Sequence, residues 1–220
     1  MSNYDINSNP CLVKQMIENE KTAVSKAKGI LLFVDELQGL GYVFEVPSQV
    51  PGFLPKHKKT ILPIAVKYYQ QAKTTNEKNY FMRLFHYRGF EEVVPMLLQD
   101  FYSNDPLVDR WAIGDCIYQI GSTDYIDDYL KIVADKKYGI SRQMIVLLLG
   151  KLKVEKAIPV LIALIDDADV TGHSINALGQ FGKEDLRSCF ERFLDHKNSY
   201  YRREAQKALK RINSRNVRDG

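Results

Sequence analysis

Proline recurs in three similar apolar contexts, TILPIAVKYY, EVVPMLLQDF and KAIPVLIALI, at Pro63, Pro95 and Pro159. The first two are 32 residues apart and the last two 64 apart, so a single period passes through both intervals. The skipped position is Asp127 in DYIDDYLKIV, which keeps the flanking apolar pattern without the proline. A further copy, DLRSCFERFL, follows about 29 residues after the last. Proline suits the first turn of a helix, because its missing N–H would have no helical partner there. Each segment is therefore expected to begin a helix.

A second segment follows each first one: KNYFMRLFHYRG, DRWAIGDCIYQIG, SRQMIVLLLGKLK, TGHSINALGQFG and YRREAQKALKRI. Tyr118, Gly150, Gly179 and Lys210 occupy equivalent places, at intervals of 32, 29 and 31. Apolar residues within these segments fall at helical spacing, as in Ile175, Leu178 and Phe181. Between paired helices lie short polar turns such as SNDP, ADKKYG, DDAD and DHKNS, in which Asp is expected to cap the next helix. Two helices per ~30 residues, repeated about five times, predict an all-α right-handed superhelix, an α-solenoid that is one continuous structural domain over residues 58 to 220.

The unit combines an A-I-P-V-L-I opening, an Asp-rich turn, Arg110, Arg142 or Arg202 heading the second helix, and A-L-G-x-x-G closing it at Ala177 to Gly182. These features resemble the HEAT repeat, particularly the short bacterial form also found in phycobilin lyases, over residues 58 to 213. The resemblance implies a HEAT-like solenoid whose second helices line the concave side. Such arrays serve as scaffolds, adaptors, inhibitors and occasionally enzymes, so the fold leaves function open. One repeat departs by placing Thr171 and Gly172 where others carry Arg and its successor, which should loosen that helix start.

Upstream, Ile30, Leu31, Val34, Leu37 and Leu40 form a helical stripe, so residues 10 to 40 read as one or two helices. Residues 41 to 57 hold three prolines and two glycines and are not expected to continue a helix. Residues 1 to 57 are expected to be an N-terminal helical cap with a Pro-rich loop, shielding the first repeat. The exposed-looking Tyr42, Phe44 and Phe53 also fit a partner-binding loop.

Forty-five per cent of the residues are apolar, enough for a sizeable core, yet the longest unbroken apolar runs, six residues at 144 to 149 and at 160 to 165, fall far short of the ~20 that span a bilayer. No membrane partner is expected, and a polar start without a basic and then apolar leader predicts a cytoplasmic protein. Cys11, Cys116 and Cys189 lie far apart, as reduced thiols do. Lys and Arg outnumber Asp and Glu by 11 to 6 over residues 183 to 220, whereas the rest of the chain is near neutral. That basic end could attract phosphate or an acidic partner, or could be a solvated last helix whose cations complement the helix dipole.

Steps of four along the second helices stay on one face. Counted from the position after the Arg, that face carries Asn79, Arg83 and Tyr87; Trp111, Asp115 and Gln119; Gln143, Leu147 and Lys151; Gly172, Asn176 and Gln180; and Arg203, Lys207 and Arg211. The candidate binding residues are Arg83, Tyr87, Trp111, Asp115, Gln119, Gln143, Lys151, Asn176, Arg203 and Lys207. Trp111 beside Asp115 and Arg83 makes a recognition centre of the kind found at interface hot spots, or else a packing tryptophan with a surface ion pair.

RWAIGD is also similar to the tryptophan and aspartate of HEAT-like alkylpurine DNA glycosylases. That resemblance implies Trp111 as an aromatic platform, Asp115 as a carboxylate stabilising a cationic sugar and Arg142 as a phosphate contact. A second groove tryptophan is missing, and the middle of the chain is net negative, which disfavours duplex binding. The four histidines lack metal-ligand spacing, Asp166, Asp167 and Asp169 lack the Glu that completes a calcium loop, and neither Cys116 nor Cys189 has a paired base. The expectation is a monomeric, non-catalytic module without cofactor or metal that binds another protein on its concave face. Nucleic-acid binding is the alternative.

Overall fold

The computed structural model describes residues 10 to 24 and 26 to 219, without the side chains of 10 to 12, 21, 23, 24 and 216 to 219. The polar start and the Cys11 side chain lie outside what it describes. The described backbone forms helices joined by turns and short irregular stretches, with no strand. Close packing divides the chain into two compact units, one running to Tyr87 and taking in Ser103–Asp109, the other formed by Arg88–Tyr102 and the chain from Arg110 onward.

In the first unit, α1 (Pro10–Val24), α2 (Lys28–Gly39), α3 (Val50–Phe53), α4 (Lys58–Gln71) and α5 (Thr75–Leu84) enclose an aromatic core. Phe33 and Phe81 are fully buried with ring centroids 5.2 Å apart, and Tyr68 and Tyr80 pack on the same pair. Glu77, buried at the start of α5, accepts from Gly29 N (2.7 Å) and Lys73 N (2.8 Å), and so satisfies a first-turn donor of α2. The Ser103–Asp109 segment is held by Lys78, whose Nζ lies 3.3 Å from Asp105 Oδ2 and 4.7 Å from the centre of the Tyr69 ring.

Two expectations need correction here. Pro63 does not begin α4 but sits inside it, whereas Pro159 stands at the start of its helix. Residues 41 to 57 also contain helical turns, because Pro47, Pro51 and Pro55 each occupy an opening position where a missing N–H is tolerated. Phe44 is buried against Phe53, while Phe53 keeps 43% of its surface. Tyr80 and Tyr87 donate to Pro47 O (2.9 Å) and Pro51 O (2.7 Å), tying this stretch to α5 and the turn after it.

The second unit alternates first helices α6 (Val94–Tyr102), α8 (Ile126–Ala134), α10 (Ile158–Leu164) and α12 (Arg187–Glu191) with second helices α7 (Arg110–Ile120), α9 (Gln143–Lys151), α11 (Thr171–Gly179) and α13 (Ser199–Asp219). Each first helix packs on the second helix that follows it, and the second helices pack on one another in chain order. Their approach is close: a Cβ on Gly150 would stand 2.4 Å from Ala177 Cα, so only glycine lets α9 and α11 meet there.

The arginines heading α7, α9 and α13 all turn inward to carbonyls of the preceding helix or turn. Arg110 donates to Phe101 O (2.8 Å) and Arg202 to His196 O (2.6 Å). Arg142, with no exposed surface, donates to Gly139 O (2.9 Å), Val133 O (3.3 Å) and Asp167 Oδ2 (2.9 Å). Asp167 thus binds the preceding repeat's arginine instead of capping α11 with its side chain. Burial works against the Asp167 carboxylate, but the Arg142 hydrogen bond and the Asp169 N–H outweigh it and lower its pKa.

Candidate binding face

Among the proposed binding residues, Arg83 and Tyr87 belong to the first unit and the other eight to the second. All eight reach solvent on α7, α9, α11 and α13. Inter-helix hydrogen bonds follow the repeat. Trp111 Nε1 donates to Gln143 Oε1 (3.2 Å), and Gln143 Nε2 donates to Asp169 O (2.8 Å). Lys151 Nζ donates to Tyr118 O (2.7 Å) and lies over the Tyr118 ring at 4.2 Å. Asn176 donates to Glu204 Oε2 (2.7 Å).

These bonds hold the face at a set spacing and leave the outer surfaces of the side chains available. Trp111 keeps 41% of its surface, a large aromatic area on a rigid support. Asp115, one turn further, is half-buried and accepts from Gln119 Nε2 at 3.4 Å. Desolvation lowers the pKa of Lys151, with Arg88 adding like-charge repulsion.

Sequence reasoning missed Glu204, an acid inside a basic run. It is buried on α13 and gathers Asn176, Arg203 (3.2 Å) and Lys207 (2.8 Å), which together overcome desolvation and lower its pKa. Gly172 was expected to loosen the start of α11; instead α11 begins at Thr171, and a Cβ on Gly172 would lie 2.3 Å from Tyr200 Cε1. A tyrosine ring from α13 fills the place of a side chain.

No family model and no curated protein matches this chain. The chemistry of the face must therefore be judged on its own residues. Arg142, the phosphate contact implied by the glycosylase resemblance, is committed to internal acceptors and shows no surface. Cys116 is buried beside Asp115, and desolvation first and that carboxylate second push its thiol pKa well up, the reverse of what a nucleophile needs. His173 is held toward its neutral form by burial, and His196 is a turn residue whose Nδ1 accepts from Asn198 N (3.1 Å). Among the described residues no three His, Cys, Asp or Glu side chains form a metal-holding group. No described helix is long and apolar enough to cross a membrane.

Proposed function

We propose that the chain is a non-catalytic, HEAT-like interaction module, whose repeats form a solenoid presenting the second helices on its concave face to a partner protein. The single observation that carries this reading is Trp111: the sole tryptophan, exposed by two-fifths and fixed through Gln143 to the next repeat. A rigid aromatic anchor loses little conformational entropy on binding, and tryptophan is enriched where truncation costs most affinity. Asp115, Gln119 and Lys151 supply polar groups of both signs around it, a pattern suited to a protein surface rather than to a duplex backbone.

The test is site-specific photocrosslinking in the native cell. A photoreactive residue in place of Gln119 should capture one dominant protein, the adduct should disappear in Trp111→Ala, and the same probe in place of Ala163 on α10 should capture none of it. Equal capture from both positions, or turnover of a substrate by the purified chain alone, would overturn the reading. Release of base from methylated DNA, compared between wild type and Asp115→Asn, separates it from the glycosylase alternative; neither protein is expected to release any.

A further inference from the structure

Four of the five second segments, all but that of α13, end on a residue with left-handed backbone. At Gly89, Gly121 and Gly182 φ is +86°, +74° and +60°, values that cost glycine nothing. The equivalent position after α9 is Lys153, with φ +50°, the only non-glycine residue with positive φ among those described. Its N–H bonds to Gly150 O (3.0 Å) and that of Val154 to Leu149 O (3.0 Å), the paired bonds that close a helix through a left-handed residue. Glycine would suit that backbone better, so the lysine side chain is kept against a conformational penalty.

Lys153 lines an open groove of about 680 Å³ within the second unit. Lys207, Lys210, Arg211 and Arg215 converge on it from α13, with Gln180 beside them, and no acid is among its lining residues. Glu204 holds Lys207, and Arg215 donates to Phe181 O (3.0 Å). No described carboxylate lies within ion-pair distance of Lys153, Lys210 or Arg211. Serving the α9 dipole does not require the strained site, because Lys151 already places a cation in the last turn.

We propose that this groove binds a small molecule bearing two or more adjacent phosphoryl groups. Lys153, Lys210 and Arg211, with Arg215 and the Glu204-paired Lys207 beside them, call for several negative charges close together. Phosphoryl chains provide these with many acceptor oxygens, and arginine and lysine serve them as fork and point charge. Carboxylates on a peptide spread the same charge over a longer span. The site stands independently of what covers Trp111.

Isothermal titration of the full chain with tripolyphosphate, a nucleoside triphosphate, orthophosphate, a single-stranded oligonucleotide and a poly-glutamate peptide tests the proposal. Tripolyphosphate should bind at least about tenfold more tightly than orthophosphate and the peptide, and Lys210→Glu with Arg211→Glu should weaken it at least about tenfold. Equal affinity for the nucleotide supports recognition of phosphates alone; tighter nucleotide binding supports the same groove reading the nucleoside as well. Lys59→Glu, at an exposed position of α4 in the first unit, should leave binding unchanged. Lys153→Gly keeps the test clear of misfolding: its Tm should rise by about 2 °C while its affinity falls. Absence of tripolyphosphate binding, binding only of the oligonucleotide, an equal loss in Lys59→Glu, or full affinity in Lys153→Gly would overturn the proposal.

Discussion

The two units bury their helices by different means. In the first, aromatic faces meet edge to face around Phe33 and Phe81, and tyrosine hydroxyls reach out to loop carbonyls such as Pro47 O. In the second, small residues let the second helices touch, and a fully buried arginine links one repeat to the turn of the next. The contrast teaches where polar groups carry energy. A tyrosine that keeps its ring after losing a hydroxyl forfeits one hydrogen bond, whereas a buried arginine cannot leave without stranding several acceptors at once.

Arg142→Ala should give the largest effect, a loss of about 3–5 kcal/mol in denaturant unfolding, because Asp167 Oδ2 and the carbonyls of Gly139 and Val133 lose the buried guanidinium that donates to them. A loss below about 1 kcal/mol would show that water replaces the guanidinium. Gly150→Ala should cost about 3 kcal/mol, since the Cβ meets backbone rather than a movable side chain. Lowered pKa values at Asp167 and Glu204 add an acid-dependent effect. Their stabilisation is complete above the unfolded carboxylate range of about 4 and is lost as pH falls through the lower folded values. Wild type should therefore lose stability below about pH 4 more steeply than Asp167→Asn, as read by thermal unfolding across pH.

Tyr80→Phe should cost only about 1 kcal/mol, the ring remaining in place. A cost as large as that of Arg142→Ala would erase the contrast between the units. The smallest effect is a gain. Lys153→Gly should stabilise by about 0.5 kcal/mol, the relief of left-handed strain exceeding the entropy glycine adds to the unfolded chain.

Much of this was legible along the chain. Periodic apolar residues place α6 to α13, and steps of four put Trp111, Gln143 and Lys151 on a face that reaches solvent. The heading arginines were visible as a repeated feature, but their direction was not: a side chain that long can point into a groove or back onto the preceding helix. Open carbonyls at helix ends decide it, because those acceptors need donors. Pro63 misled for a related reason, since a proline marks the first turn only if nothing helical precedes it.

Lys153 shows the limit most clearly. In the aligned segments it ends KLK where others end QIG and QFG, a departure that the sequence displays and does not explain. The sequence by itself determined helical hairpins at a regular spacing, which residues repeat, and the basic balance of the last segment, because these follow from local periodicity and composition. Tertiary structure decided which cations are consumed by internal partners and which converge. Arg142 donates to internal carbonyls and a carboxylate and Arg202 to turn carbonyls, while Lys153 and the exposed residues of α13 gather around one groove. Charge is counted along a chain, but it acts by distance, and only packing sets the distances.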